Sequence, residues 1–84
     1  MPDTLTYPLR IERCPDENGY LASFPDLPGC QTWGESYEAA VENAEEALSV
    51  YLETLIANGD PLPEATWPEG GAALGVSVRR PVAA

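Results

Sequence analysis

Apolar and polar residues alternate from the start of the chain. Leu5, Tyr7, Leu9 and Ile11 are apolar, while Thr4, Thr6, Arg10 and Glu12 are polar. A period of two marks a strand with one wet face. Pro8 falls on the polar side of the alternation. It has no N–H to give to a ladder, which predicts an edge strand or a bulge at that point. Pro15-Asp16-Glu17-Asn18-Gly19 reads as a turn, because Asn-Gly tolerates positive φ at both positions. Tyr20, Ala22 and Phe24 share a face in the run that follows, so residues 4–24 predict a β-hairpin.

The pattern changes over residues 23–48, the stretch around which the chain is organised. Pro25-Asp26-Leu27-Pro28-Gly29 predicts a stiff bend, with two fixed φ angles and one glycine free to take unusual backbone angles. Residues 30–33 predict a short third strand ended by Gly34. Ser36 is a good N-cap, and Glu35 and Glu38 put negative charge at the positive end of a helix dipole. Val41, Ala44, Leu48, Tyr51, Leu52 and Leu55 then recur at spacings of three and four, an apolar stripe. A helix over residues 37–58, ending near Gly59, would be about 33 Å long at 1.5 Å per residue. That is long enough to cover one face of a three-stranded antiparallel sheet. The expected fold class is therefore α+β.

Pro61, Pro63 and Pro68 forbid further helix, and residues 60–71 read as an extended linker with Trp67 as an anchor. Residues 75–79 have weaker strand character and are read either as a fourth strand or as a tail. On this reading residues 1–60 form the core, and residues 61–84 form a proline-rich extension without an evident DNA-binding segment.

Composition narrows the function. Eighty-four residues suffice for one small domain, whose stability self-association would raise. Fourteen acids face four arginines, with no lysine or histidine and a formal net charge of -10. This balance works against binding a phosphate backbone and favours basic partners. No apolar run approaches the roughly 20 residues needed to span a bilayer, and no signal peptide is visible. Cys14 and Cys30 are too few for a disulfide framework. Free thiols in a reducing cytoplasm are expected, with a single Cys14–Cys30 bridge as the alternative.

The chemical inventory is sparse. Without histidine there is no imidazole base or imidazole metal ligand, and two cysteines fall short of a four-thiolate site. There is no phosphate-binding glycine loop and no Gly-x-Ser-x-Gly elbow. The carboxylates Glu12, Asp16, Glu17 and Asp26 lie on or near the hairpin and could in principle hold a divalent metal. Turns favour Asp for local backbone hydrogen bonds, however, and Asp26 is read first as a cap within its bend. Cys30 has no neighbouring base to activate it and is read as a small buried side chain. No cofactor is expected.

Phe24-Pro25-Asp26-Leu27-Pro28-Gly29-Cys30-Gln31-Thr32, then Gly34-Glu35-Ser36, Glu38-Ala39, Glu42-Asn43-Ala44 and Glu46-Ala47-Leu48 resemble the signature of HicB-type antitoxins. Gly19-Tyr20 before them and Pro61-Leu62-Pro63 after them also fit, so the resemblance covers about residues 5–63. It implies a β-β-β-α-β partial RNase H-like fold without that fold's nuclease carboxylates. It also implies an antitoxin whose partner is a small basic HicA-like ribonuclease, and a tendency to form dimers or tetramers. Many HicB proteins carry a C-terminal DNA-binding segment, whereas residues 60–84 hold no amphipathic helix and Arg79-Arg80 is their only basic spot. Nucleic-acid binding by this chain alone is therefore not expected. The toxin-binding residues expected are Asp16, Glu17, Asp26, Glu42 and Glu46. Two alternatives are a small metal-dependent nuclease using Glu12, Asp16 and Asp26, and an orphan acidic dimer that binds some other basic protein or a small ligand.

Overall fold

In the computed structural model, residues 4–15, 18–67 and 74–80 are described. The elements run β1 (Thr4–Cys14), β2 (Gly19–Ser23), β3 (Gln31–Gly34), α1 (Tyr37–Ala57) and β4 (Leu74–Arg79). The four strands form one antiparallel sheet in the order β3-β2-β1-β4. The fold is α+β, and α1 lies against one sheet face, most heavily over β3.

Residues 75–79 belong to a strand, and that strand changes the place of β1. It is an inner strand in the sheet order, where Pro8 suggested an edge or a bulge, although at Pro8 itself only one side of β1 is paired. Its first half, Thr4–Leu9, pairs with β4, and its second half, Arg10–Cys14, pairs with β2. No residue of β1 is paired on both sides, so Pro8 opposite Gly75 has a vacant flank for its missing donor. Pro8 is also buried, although it lies on the polar side of the alternation.

The helix-facing side of the sheet carries Tyr7, Leu9, Ala22, Phe24 and Val76, all buried. The helix answers with Ala40, Ala44, Leu48 and Leu52, a stripe at strict intervals of four. The sequence-based stripe was correct at Ala44, Leu48 and Leu52 but missed Ala40, and Val41 is only half-buried. The small residues have a reason. A Cβ on Gly34 would lie 2.2 Å from the backbone nitrogen of Ala40, so strand end and helix start meet almost backbone to backbone.

Local signals fix the helix ends. The Ser36 hydroxyl accepts from the Ala39 N–H at 3.1 Å. At the other end Gly59 takes φ +74°, its N–H bonds to the Ile56 carbonyl, and the Asp60 N–H bonds to the Leu55 carbonyl. These two bonds form a Schellman motif. The observed helix has 21 residues and Asn58 is its C-cap.

The bend is two successive turns. The Leu27 N–H bonds to the Phe24 carbonyl, and the Cys30 N–H bonds to the Leu27 carbonyl. The second turn has Pro28 and Gly29 at its centre, with Gly29 at φ +81°, the pairing that a type II turn requires. Between the turns Leu27 is fully buried and plugs the core. Phe24 N–H to Cys30 carbonyl closes the bend at its base.

In the hairpin connection Asn18 takes positive φ, but Gly19 does not and is already in β2, paired with Cys14. Gly19 is required for another reason. The Trp33 ring lies flat against it on the outer sheet face, where a Cβ would be 2.2 Å from ring carbon. The edge of the Trp67 ring reaches Gly75 more loosely, 3.2 Å from where a Cβ would stand, and so touches β4 from the exit segment. That segment is also held where the Tyr7 hydroxyl donates to the Pro63 carbonyl at 2.6 Å.

Candidate functional site

The expected contact residues divide into three groups. Asp16 and Glu17 lie outside the described residues. Asp26 is half-buried in the bend, and its Oδ2 accepts the Thr66 N–H at 2.8 Å. It caps a backbone group, as read from sequence, but that group is in the exit segment and not in its own bend. Glu42 and Glu46 are exposed, one turn apart on α1, with side chains toward solvent.

Of the four carboxylates considered for metal binding, only Glu12 and Asp26 are among the described residues, and these two do not share a site. Glu12 is on the outer sheet face, its Oε1 2.8 Å from Arg10 Nε, while Asp26 is committed to Thr66. No group of three or more Cys, Asp and Glu among the described residues is arranged to hold a metal ion. Cys14 and Cys30 are free thiols. Burial pushes the Cys30 thiol above its usual value of 9.0, the opposite of what activates a nucleophile. The Tyr7 phenol is also raised above its usual 10.0, first by burial and then by the negative charge of Asp26. No described helix is long and apolar enough to cross a membrane.

Charge and shape meet on one side of the molecule. Helix α1 carries Glu38, Glu42, Glu45, Glu46 and Glu53, all exposed, and no cation. The four arginines lie on β1 and at the end of β4. Between α1 and the β3 edge runs an open groove of about 620 Å³. Glu46, Ala47, Val50 and Tyr51 line its helix side, and Cys30, Gln31 and Thr32 its strand side. The Tyr51 hydroxyl donates to the Pro28 carbonyl at 3.1 Å and closes one end. Asn43 Nδ2 donates to the Trp33 carbonyl at 2.8 Å near the other.

Sequence reasoning found the acids of this surface and missed its apolar part. Val50 is 56% exposed, a large aliphatic side chain outside the buried stripe. Its place one turn after Glu46 was the available signal. That β3 is an edge strand depends on pairing and could not be read from a four-residue run.

The comparisons with known proteins agree with the fold. A family model described as the HicB-like antitoxin of bacterial toxin-antitoxin systems matches residues 7–70. The chain is 36% identical over 59 residues to antitoxin HicB 1 of Photorhabdus laumondii, covering 70% of this chain and 37% of that protein. It is 38% identical over 60 residues to a 14.9 kDa protein of Haemophilus phage HP1, covering 71% of this chain and 44% of that one. The chain thus spans less than half the length of these two relatives. Among solved structures, the N-terminal domain of the Burkholderia pseudomallei antitoxin HicB superposes with a TM-score of 0.70 at 27% identity. That superposition covers 93% of this chain and all of that domain. A chain of a HicA3 and HicB3 toxin-antitoxin complex superposes with a TM-score of 0.66 at 32% identity, covering 86% and 95%. With the family model matching more than half of its residues, the chain belongs to the HicB-like antitoxin family.

Proposed function

We propose that this chain is the antitoxin of a HicA/HicB-type pair and neutralises a small basic HicA-like ribonuclease by binding it. The observation that carries this reading is the solvent face of α1, with five glutamates and no cation. A basic nuclease presents cations to bind RNA, and an acidic surface satisfies the same cations without supplying a substrate. The HicA3–HicB3 complex among the structural neighbours supports a partner of this class. Glu42 and Glu46 are the proposed contacts on α1, and Asp16 and Glu17, outside the described residues, are proposed in addition to them. Asp26 is proposed as a contact at the bend in which it sits, tied there to the exit segment through Thr66. The chain acts as a binding module in the cytoplasm, without a cofactor, as a dimer or tetramer.

Co-expression with the HicA-type protein encoded in the same operon tests this. The expected result is co-purification of the two chains and restored growth of cells carrying the toxin. Absence of both a complex and rescue would overturn the reading. Electrostatic steering also predicts an association rate that falls as salt rises, and a rate independent of salt would remove the charge argument.

A further inference from the structure

The helix lies toward one edge of the sheet. Helix α1 packs most heavily on β3, an edge strand, and its Glu46–Val50 face continues past that edge as the helix wall of the groove. The backbone of β3 is open on the same side. Its Cys30 carbonyl flank turns toward β2, where it receives the Phe24 N–H. Backbone groups alternate sides along a strand, so Gln31 and Trp33 direct theirs outward. The Trp33 carbonyl is occupied by Asn43. The Gln31 N–H and carbonyl and the Trp33 N–H have no partner among the described residues. An unpaired row of this kind is a template for another strand.

We infer that the partner docks by adding a strand to the free edge of β3, with an aliphatic side chain in the groove against Ala47 and Val50 and a cation beside Glu46. The inference rests on the antitoxin reading and gives it a place and a mode. Strand addition draws affinity from main-chain hydrogen bonds and specificity from alternate side chains in pockets. The groove takes the inward-facing side chains, and its volume is within the range of specific binding sites. The charge of the occupant follows from the lining. Glu46 is its one charged residue, Glu42 precedes it by one turn, and α1 and β3 contain no arginine. A second copy of this acidic chain would bring Glu to Glu unless it presented its arginine-bearing strands.

The experiment is hydrogen exchange on the unsubstituted chain, free and with the HicA-type protein of its operon, together with affinities of three variants. The Gln31 and Trp33 amides should gain at least tenfold protection in the complex. Val50→Glu and Glu46→Lys should each weaken binding about tenfold or more with circular dichroism unchanged. Glu12→Lys makes the same change in net charge on the outer sheet face and should stay within about twofold. A complex in which both amides exchange as in the free chain overturns the strand-addition mode while leaving the antitoxin reading intact. Equal losses for Glu46→Lys and Glu12→Lys show a general charge effect and also overturn the placement. Failure of the unsubstituted chain to bind overturns both.

Discussion

Gly34→Ala tests the closest approach in the fold. A single methyl at this position would sit 2.2 Å from Ala40 N, 2.6 Å from Ala40 Cα and 2.7 Å from the Ala39 carbonyl carbon. Ordinary contact begins at 3.4 Å, so the first clash is about 1.2 Å too close. All three atoms are backbone, and no rotamer change relieves them. Either β3 or the first turn of α1 must move by about 1 Å. That movement lifts the fully buried Ala40 and Ala44 from the sheet and opens a gap that nothing fills. Overpacking costs about 1–3 kcal/mol in a typical core, and a clash confined to backbone belongs at the upper end, about 3 kcal/mol. A domain of this size has a total stability of only about 4–12 kcal/mol. At about 4–8 °C per kcal/mol, the midpoint should fall by at least about 12 °C. Thermal and urea unfolding followed by circular dichroism measure it. Gly29→Ala is the internal comparison. Nothing lies within 4 Å of its added Cβ, so only the left-handed backbone is penalised, at about 1–2 kcal/mol. If Gly34→Ala melts within about 5 °C of the parent, or no lower than Gly29→Ala, the close packing of strand on helix is refuted.

Four further outcomes are expected. Leu27→Ala removes the plug between the two turns and should cost about 2–5 kcal/mol by urea denaturation, as for other fully buried leucines. Ser36→Ala should cost about 1 kcal/mol by the same assay through loss of the bond to the Ala39 N–H. Alkaline stability should fall from about pH 9. Cys30 and Tyr7 are both raised above their usual 9.0 and 10.0, so the folded state holds these protons more tightly than the unfolded chain. Their contribution is complete below those values and is lost as pH rises through them. Tyr7→Phe should remove the component above pH 10, and a pH series of urea midpoints shows whether it does. Asp26→Asn should lower the titration of Tyr7, measured by the tyrosinate absorbance, because the carboxylate is one cause of the raised value.

How far the fold could be read from sequence depended on the distance between cause and effect. The Ser36 cap, the Gly59 stop and the bend are set by residues within a few positions of each other and all are seen, while the hairpin is seen over residues 10–23 of the 4–24 expected. Strand β4 rests on pairing with residues near the other end of the chain, and its own composition gave only a weak signal. The glycines show the same division. Gly29 and Gly59 answer to local backbone angles, which turn and cap rules anticipate. Gly19 and Gly34 answer to Trp33 and Ala40, neighbours that appear only once the sheet and helix have assembled. The acids of the candidate surface were legible because solvent-facing glutamates fall off the apolar stripe. Its apolar half, with Val50 and the open edge of β3, depends on the strand order.

The divided pairing of β1 gives the domain a hierarchy of folding. Partners of β1 on β2 are 5 to 13 residues away in sequence, from Cys14 with Gly19 to Arg10 with Ser23. Partners on β4 are 65 to 75 residues away, from Leu9 with Leu74 to Thr4 with Arg79. Loop-closure entropy therefore makes the hairpin the early event and β4 the late one. Because the two ladders share no residue of β1, β4 can detach while every β1–β2 pair stays intact. Opening β4 would take Val76 out of the core that it shares with β1, β2 and α1, and Leu9–Arg10 is where the two ladders of β1 meet.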